Sequence, residues 1–177
     1  MTIQGPITRA SNKVVNINEL PDHFKKRQSQ GKSIALIGGC FDILHLGHIE
    51  LFRFAKEHAD YLCIILDNDQ TIRASKGESR PIFNEDIRAN QMAELESIDL
   101  VAVSDIFLTF GNNNANQVWH DILYELRPEY HATNVGTDRF WQKKKGLCDS
   151  LNITFLGHQG KRPTSTSKIH AEILANF

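Results

Sequence analysis

Apolar and polar residues follow one another along this chain in blocks that predict strands and helices in turn. Short, continuous apolar runs are typical of strands buried on both faces. Such runs cover residues 33–39, 61–69, 100–105, 130–136 and 152–157, and the run over 130–136 is the weaker one. Apolar residues recur at helical spacing between and after them, which predicts helices over residues 47–60, 84–98, 118–128, 138–150 and 164–177.

One further helix is predicted ahead of the first strand. Its start is assigned to Asn18, a good helix cap, and its end to Gly31. Residues 1–13 are expected to be loosely ordered. We therefore divide the chain into an N-terminal extension with a helix, residues 1–32, and a single domain over residues 33–177.

The five alternations of strand and helix predict an α/β fold with a parallel five-stranded sheet and helices on both faces. Residues 70–81 are predicted to be a polar, basic loop, and residues 111–117 an Asn-rich, mobile connector. Ligands of such sheets bind beyond the carboxyl ends of the strands, where the strand order switches. The candidate site is therefore assembled from residues 38–48, 67–81, 134–139 and 157–168.

Composition narrows the functional class only modestly. The chain has 177 residues, a formal charge of −1 and three widely spaced cysteines. The charge lacks the basic excess typical of nucleic-acid binders, and the cysteines indicate reduced thiols rather than disulfides. No apolar run is long enough for a signal peptide or a membrane span. We expect a cytoplasmic protein with no nucleic-acid or membrane partner.

The stretch "GGCFDILHLGH" joins the first strand to the following helix. Gly38 and Gly39 permit close approach of a ligand or a positive φ angle. Gly47 lies at the start of the helix, where free N–H groups attract anions. His45 and His48 are three residues apart, so both rings can face one ligand. The alternative is a glycine turn with two surface histidines, but the position between strand and helix favours a phosphate site.

This stretch also carries a family resemblance. Residues Gly39, Phe41, Asp42, His45, Gly47 and His48 resemble the (T/N)GxFDxxHxGH signature of the cytidylyltransferase-like nucleotidyltransferases. Four later segments are similar to further motifs of that family: "KGESRP", Arg88 in the next helix, "NVGTD" and "TSTSKI". The resemblance implies a Rossmann-like domain that displaces pyrophosphate from a nucleoside triphosphate (NTP).

The resemblance also implies roles for individual residues. The catalytic set is His45, His48 and Lys76. The nucleotide-binding set is Gly39, Cys40, Phe41, Asp42, Gly47, Arg88, Gly136, Asp138, Ser165, Thr166 and Ser167. The acceptor-binding set is Asp69, interpreted as the end of the second strand, and Arg80.

Some of these residues have a second interpretation. Arg88 either points into the site or forms a surface ion pair. Asp42 either orients the turn, which we favour, or assists Mg²⁺. Trp119 and Trp141 are interpreted as packing residues. Mg²⁺ is expected as a cofactor held mainly by the NTP phosphates, because the sequence shows no carboxylate cage for it.

Two subgroups of the family compete as models for this chain. The segments around "GCFDILHLGH" and "KGESRP" look most like the heptose-1-phosphate adenylyltransferase domain of ADP-heptose synthases, which serve lipopolysaccharide biosynthesis. That likeness implies transfer of AMP from ATP to a sugar phosphate. The alternatives are a CTP-dependent enzyme acting on glycerol 3-phosphate or a similar small phosphate, and a non-catalytic nucleotide-binding module. The family also implies a homodimer.

Overall fold

The computed structural model describes residues 11–108, 114–160 and 166–176, and contains one five-stranded parallel sheet. The strands are β1 (Ile34–Gly39), β2 (Tyr61–Leu66), β3 (Leu100–Val103), β4 (Tyr130–Asn134) and β5 (Thr154–His158). The helices are α1 (Leu20–Gln28), α2 (Leu46–His58), α3 (Asp69–Lys76), α4 (Glu85–Ala93), α5 (Asn114–Leu126), α6 (Trp141–Leu151) and α7 (Thr166–Asn176). The predicted fold class is confirmed.

Both faces of the sheet are covered, as the continuous apolar strands require. Successive residues of a strand point to opposite faces, so Ala35 and Ile37 pack under α2 and α4, whereas Ile34 and Leu36 pack under α1, α5 and α6. The central part of β1 is accordingly buried on both sides. No helix within the described ranges combines the length and apolar character needed to cross a bilayer.

The strand order is β3-β2-β1-β4-β5, with all neighbours parallel. The chain runs outward from β1 to β3, then crosses over and continues from β4 to β5. The switch in strand order therefore lies between β1 and β4. In sheets of this kind a crevice opens there, outside the carboxyl ends of the strands.

The prediction of a loop over residues 70–81 is wrong for its first half, which forms α3. Asn68 caps this helix by accepting a hydrogen bond from the Thr71 backbone N–H at 2.8 Å. The side chain of Ile72 anchors the helix in the interior, and Gly77, at φ +97°, ends it. One buried apolar residue and two good caps thus outweigh the polar character of the segment.

Several other boundaries differ from the predicted ones. Asn16, not Asn18, is the capping residue before α1, and it caps a short 3₁₀ turn, Ile17–Glu19. β2 ends at Leu66, before the polar residues assigned to it. The helix predicted over residues 84–98 ends at Ala93. Residues 114–117 of the Asn-rich connector belong to α5, and the rest of that connector lies outside the described residues.

Candidate active site

A cavity of about 520 Å³ opens at the carboxyl ends of β1 and β4, where the strand order switches. It contains ten of the predicted site residues: Gly39, Cys40, Phe41, Asp42, His45, Gly47, His48, Lys76, Asp138 and Thr166. Of the four predicted segments, residues 38–48 contribute most to its wall. Of the segment 157–168, only Thr166 lines it among the residues that the structure describes.

The glycines at the end of β1 make room for aromatic rings. Neither adopts a positive φ angle, and the left-handed residue of the turn is Phe41, at φ 44°. A Cβ atom on Gly38 would overlap the ring of Trp119, and one on Gly39 would lie 3.1 Å from the Phe41 ring. Gly38 is therefore explained by the close approach of α5. Trp119 packs in the core as predicted, but it also lines the cavity.

The two histidines stack against each other at the start of α2. Their ring centroids are 3.6 Å apart and the ring planes differ by 24°. His45 is the N-cap residue, with extended backbone angles, so His48 falls in the first turn of the helix. A Cβ on Gly47 would come within 3.3 Å of the His45 ring, so a small residue suits this position. Both imidazoles thus meet the N-terminal end of a helix inside the cavity.

Asp42 holds the turn to the segment that follows α3. Its Oδ1 accepts the backbone N–H groups of Ile82 and Phe83, at 2.8 and 3.0 Å, and its Oδ2 accepts Arg80 Nε at 2.6 Å. Burial raises the pKa of Asp42, but these donors outweigh it, and the pKa lies below the usual value. The geometry supports orientation of the turn, the interpretation favoured from the sequence. Arg80 is only 5% exposed and is committed to this contact.

Arg88 lies behind the turn, fully buried, and fits neither of its two predicted positions. Its guanidinium donates to the carbonyl oxygens of Phe83, Cys40 and Asp67, at 3.1, 2.7 and 2.8 Å. The same group pairs with Asp69 Oδ1 at 2.8 Å. The prediction that Asp69 ends β2 is wrong, because this residue begins α3. Within the described chain, Arg80, Arg88 and Asp69 are absent from the cavity wall.

Asp67 lines the cavity and begins the predicted site segment 67–81, but it was not among the site residues named from the sequence. It follows β2 directly, is 6% exposed, and accepts a hydrogen bond from Cys40 Sγ at 3.2 Å. Burial raises the pKa of Asp67. Burial and the neighbouring Asp67 likewise raise the pKa of the Cys40 thiol, to about 12. The signal in the sequence was the "DND" after β2, from which Asp69 was chosen instead.

The N-terminal half of α6 and the residues before it form a basic wall. The predicted site segment 134–139 includes Arg139, but the lysines of α6 were not placed in the site. Arg139, Lys143 and Lys144 all line the cavity. Lys144 pairs with Asp138 at 2.7 Å, and Asp138 also accepts from Thr133 Oγ1 and the Phe140 N–H, each at 2.8 Å. Burial raises the pKa of Asp138, but Lys144 and these donors bring it below its usual value.

The remaining predicted residues lie at the edge of the cavity, outside its described wall, or outside the described residues. Thr166, in the first turn of α7, is buried and donates to the Ile43 carbonyl at 3.2 Å, which brings the start of α7 beside the turn before α2. Gly136 forms a turn with Asn134 and is not part of the described cavity wall. Trp141 stacks on Phe155, consistent with packing. Ser165 lies outside the described residues, and so does the side chain of Ser167.

The carboxylates in the described cavity wall differ in how many of their oxygens are already bound within the protein. The described residues contain no group of three or more His, Cys, Asp or Glu side chains placed to hold a metal ion. Both oxygens of Asp42 are occupied by the donors described above. Of the described carboxylates that line the cavity, Asp67 is the one with a hydrogen-bond donor on a single oxygen. Its position permits contact with a cation that is bound to phosphate.

Comparison with known proteins places this geometry in context. A family model described as cytidylyltransferase-like matches residues 36–169. The bifunctional protein HldE of Geobacter metallireducens is 38% identical over 93 residues, which is 52% of this chain and 19% of that protein. HldE of Aliarcobacter butzleri is 38% identical over 96 residues, 54% of this chain and 20% of the relative. These matches therefore span about a fifth of the relatives' length.

Two solved structures share the fold. The lipopolysaccharide core biosynthesis protein from Thermoplasma volcanium superposes with a TM-score of 0.56 at 22% identity, covering 74% of this chain and 99% of that one. Pantoate-beta-alanine ligase from Francisella tularensis gives a TM-score of 0.62 at 13% identity, covering 93% and 78%. At these identities the likeness extends to the fold alone.

Proposed function

Because the chain belongs to the cytidylyltransferase-like family and is a nucleotidyltransferase, we propose that it transfers AMP from ATP to a sugar phosphate such as heptose 1-phosphate. A phosphate oxygen of the acceptor attacks the α-phosphorus of ATP and forms a new P–O bond. The bond between the α-phosphorus and its bridging oxygen breaks, and pyrophosphate leaves with the electron pair. No covalent enzyme intermediate is needed.

The observation that carries this proposal is the stacked pair of His45 and His48 at the start of α2, inside the cavity at the switch point. Donors fixed in this way stabilise the charge that develops on a phosphoryl group during transfer. The free N–H groups at the start of α2 also attract negative charge to this end of the cavity. This arrangement suits the α- and β-phosphates of a bound NTP.

The other site residues divide between contact with substrate and support of the turn. Lys76 lines the cavity and is exposed, so we assign it to the triphosphate. Asp42, Arg80 and Arg88 are positioning residues, because their polar atoms are bound within the protein. We therefore replace the predicted acceptor contacts of Arg80 and Asp69 with a structural role.

The choice of heptose 1-phosphate and ATP rests on the resemblance to ADP-heptose synthases. The two HldE matches, each of which covers about half of this chain, support it. The family description gives a second candidate, transfer of CMP from CTP to a small phosphate such as glycerol 3-phosphate. Mg²⁺ bound through the NTP phosphates supplies charge neutralisation in either case. We also propose a homodimer, which the resemblance implies, and a cytoplasmic location, which the reduced cysteines favour. Light scattering of the purified chain measures its mass.

A pyrophosphate-release screen tests the proposal. ATP and CTP are each combined with heptose 1-phosphate, glycerol 3-phosphate and phosphocholine, in the presence of Mg²⁺. We expect the fastest release with ATP and heptose 1-phosphate. Fastest release with CTP and glycerol 3-phosphate supports the second candidate. Nucleotide binding without release in any pair contradicts the enzyme and favours a binding module.

A further inference from the structure

The nucleotidyl-transfer mechanism proposed above assigns no role to two cations of the basic wall, Arg139 and Lys143. Arg139 and Lys143 line the cavity and are exposed to it. Neither has a carboxylate within ion-pair distance among the residues that the structure describes, whereas Lys144 is paired with Asp138 and Lys145 with Asp149. Both lie over the Phe140 ring, with Arg139 Cζ 4.6 Å and Lys143 Nζ 5.8 Å from its centroid.

The charges of the substrates exceed what the rest of the cavity neutralises. Both substrates of nucleotidyl transfer are anionic, and a phosphate monoester alone carries about −1.5 to −2 near neutral pH. The attacking phosphate must approach an α-phosphate that is itself negative, so it needs counter-charges of its own. Arg80 and Arg88 cannot supply them, because Asp42 and Asp69 already pair with these two guanidinium groups.

The side of the cavity formed by the starts of α2 and α7 already offers groups that can bind the triphosphate. The helices α2 and α7 both begin beside the turn, where Thr166 contacts the Ile43 carbonyl, and the two histidines lie at the start of α2. Lys76 lines the same cavity. This leaves Arg139 and Lys143 for the second anion, and two fixed cations match the charge of one phosphate monoester. The fork of an arginine further suits bidentate contact with phosphate.

We infer that Arg139 and Lys143, held over the Phe140 ring, form the subsite that binds the phosphate group of the acceptor. This inference rests on the proposed function and assigns its second substrate to a named wall of the cavity. Lys144 is neutralised by its ion pair with Asp138 and is not part of the subsite. The chemical class bound there is a phosphate monoester, whatever group the phosphate carries.

The test compares neighbouring lysines of α6. Lys143→Ala removes one cation of the subsite, and Lys145→Ala is the matched control, because Lys145 is exposed, paired with Asp149 and outside the described cavity wall. Steady-state kinetics vary heptose 1-phosphate at saturating ATP, and then ATP at saturating acceptor. For Lys143→Ala we expect KM for the acceptor to rise roughly 10- to 100-fold, since a charge-assisted contact is lost. KM for ATP should stay within about twofold, and Lys143→Arg should recover most of the loss.

Lys145→Ala should leave both KM values unchanged. The inference is overturned if Lys143→Ala raises KM for ATP as much as KM for the acceptor, or changes neither. Calorimetric binding of heptose 1-phosphate, in the presence of a non-hydrolysable ATP analogue, separates this result from failure of the proposed function. Absence of turnover in the wild type contradicts the proposed function. Acceptor binding that is lost only in Lys143→Ala supports the subsite, and equal binding, or none in the wild type, overturns it.

Discussion

The histidine pair and the buried arginines belong to the same set of sequence motifs, but they take different positions in the structure. His45 and His48 stack at the start of α2 and line the cavity. Arg80 and Arg88 lie behind the turn, at 5% and 0% exposure, and bind carboxylates and carbonyl oxygens of the protein itself. One region faces the cavity and the other holds that region in place.

This contrast shows that charged residues of these motifs can bind groups of the protein itself instead of lining the cavity. Arg88 joins the ends of β1 and β2 to α3 by donating to Cys40, Asp67 and Asp69. The turn that presents the histidines is therefore fixed by buried polar contacts rather than by apolar packing alone. Substitutions in the two regions should separate stability from turnover.

The largest effect on stability is expected for Arg88→Met. The substitution keeps side-chain bulk but leaves Asp69 without its cation and three carbonyl oxygens without their donor. We expect the free energy of unfolding in urea to fall by about 3–5 kcal/mol. Arg73→Met, at an exposed position of α3, is the control and should change it by about 0.5 kcal/mol or less. A fall in the free energy of unfolding of less than about 1 kcal/mol for Arg88→Met would contradict the structural role of Arg88.

A smaller loss is expected for Asp42→Asn, which keeps the shape but removes the charge opposite Arg80. We expect about 1–3 kcal/mol at pH 7. Because the folded pKa of Asp42 is lowered, its contribution is present above the ordinary aspartate pKa and is lost as the pH falls through the folded value. Urea titrations from pH 7 downward should show the two proteins converging in acid. A difference that does not shrink with acidification contradicts the ion pair.

The smallest effect, with the opposite sign, is expected for Asp67→Asn. The raised pKa of Asp67 means that its ionised form is disfavoured by folding, so the penalty is greatest at high pH and is relieved as the pH falls. The variant should be more stable than the wild type at pH 8, by at most about 1 kcal/mol, and the gap should close in acid. Asp105→Asn, at an exposed site, should show no such gap. Lower stability of Asp67→Asn at pH 8 would contradict this account.

The five strands, the site at the switch point and the turn could be predicted from the sequence. Each of them depends on a local pattern: apolar runs, a strand–turn–helix junction or paired histidines. The sequence was insufficient for Arg88, because burial of a guanidinium among carbonyl oxygens depends on how distant elements pack. Asp67 was not named as a site residue because a shift of two residues at the end of β2 decides which aspartate reaches the cavity. A helix over residues 138–150 was predicted, but only the pairing of β4 with β1 brings it to the histidines.

The central claim is that the histidine pair acts on the reacting phosphates, and single-turnover pyrophosphate release by His48→Ala tests it most directly. The account predicts that the rate falls by about 10²–10³ while ATP binding and cooperative unfolding persist, because one preorganised donor is lost from a folded site. Arg73→Met provides the baseline rate for a substitution at an exposed position outside the described cavity wall. An unchanged rate of pyrophosphate release in His48→Ala would contradict the assignment.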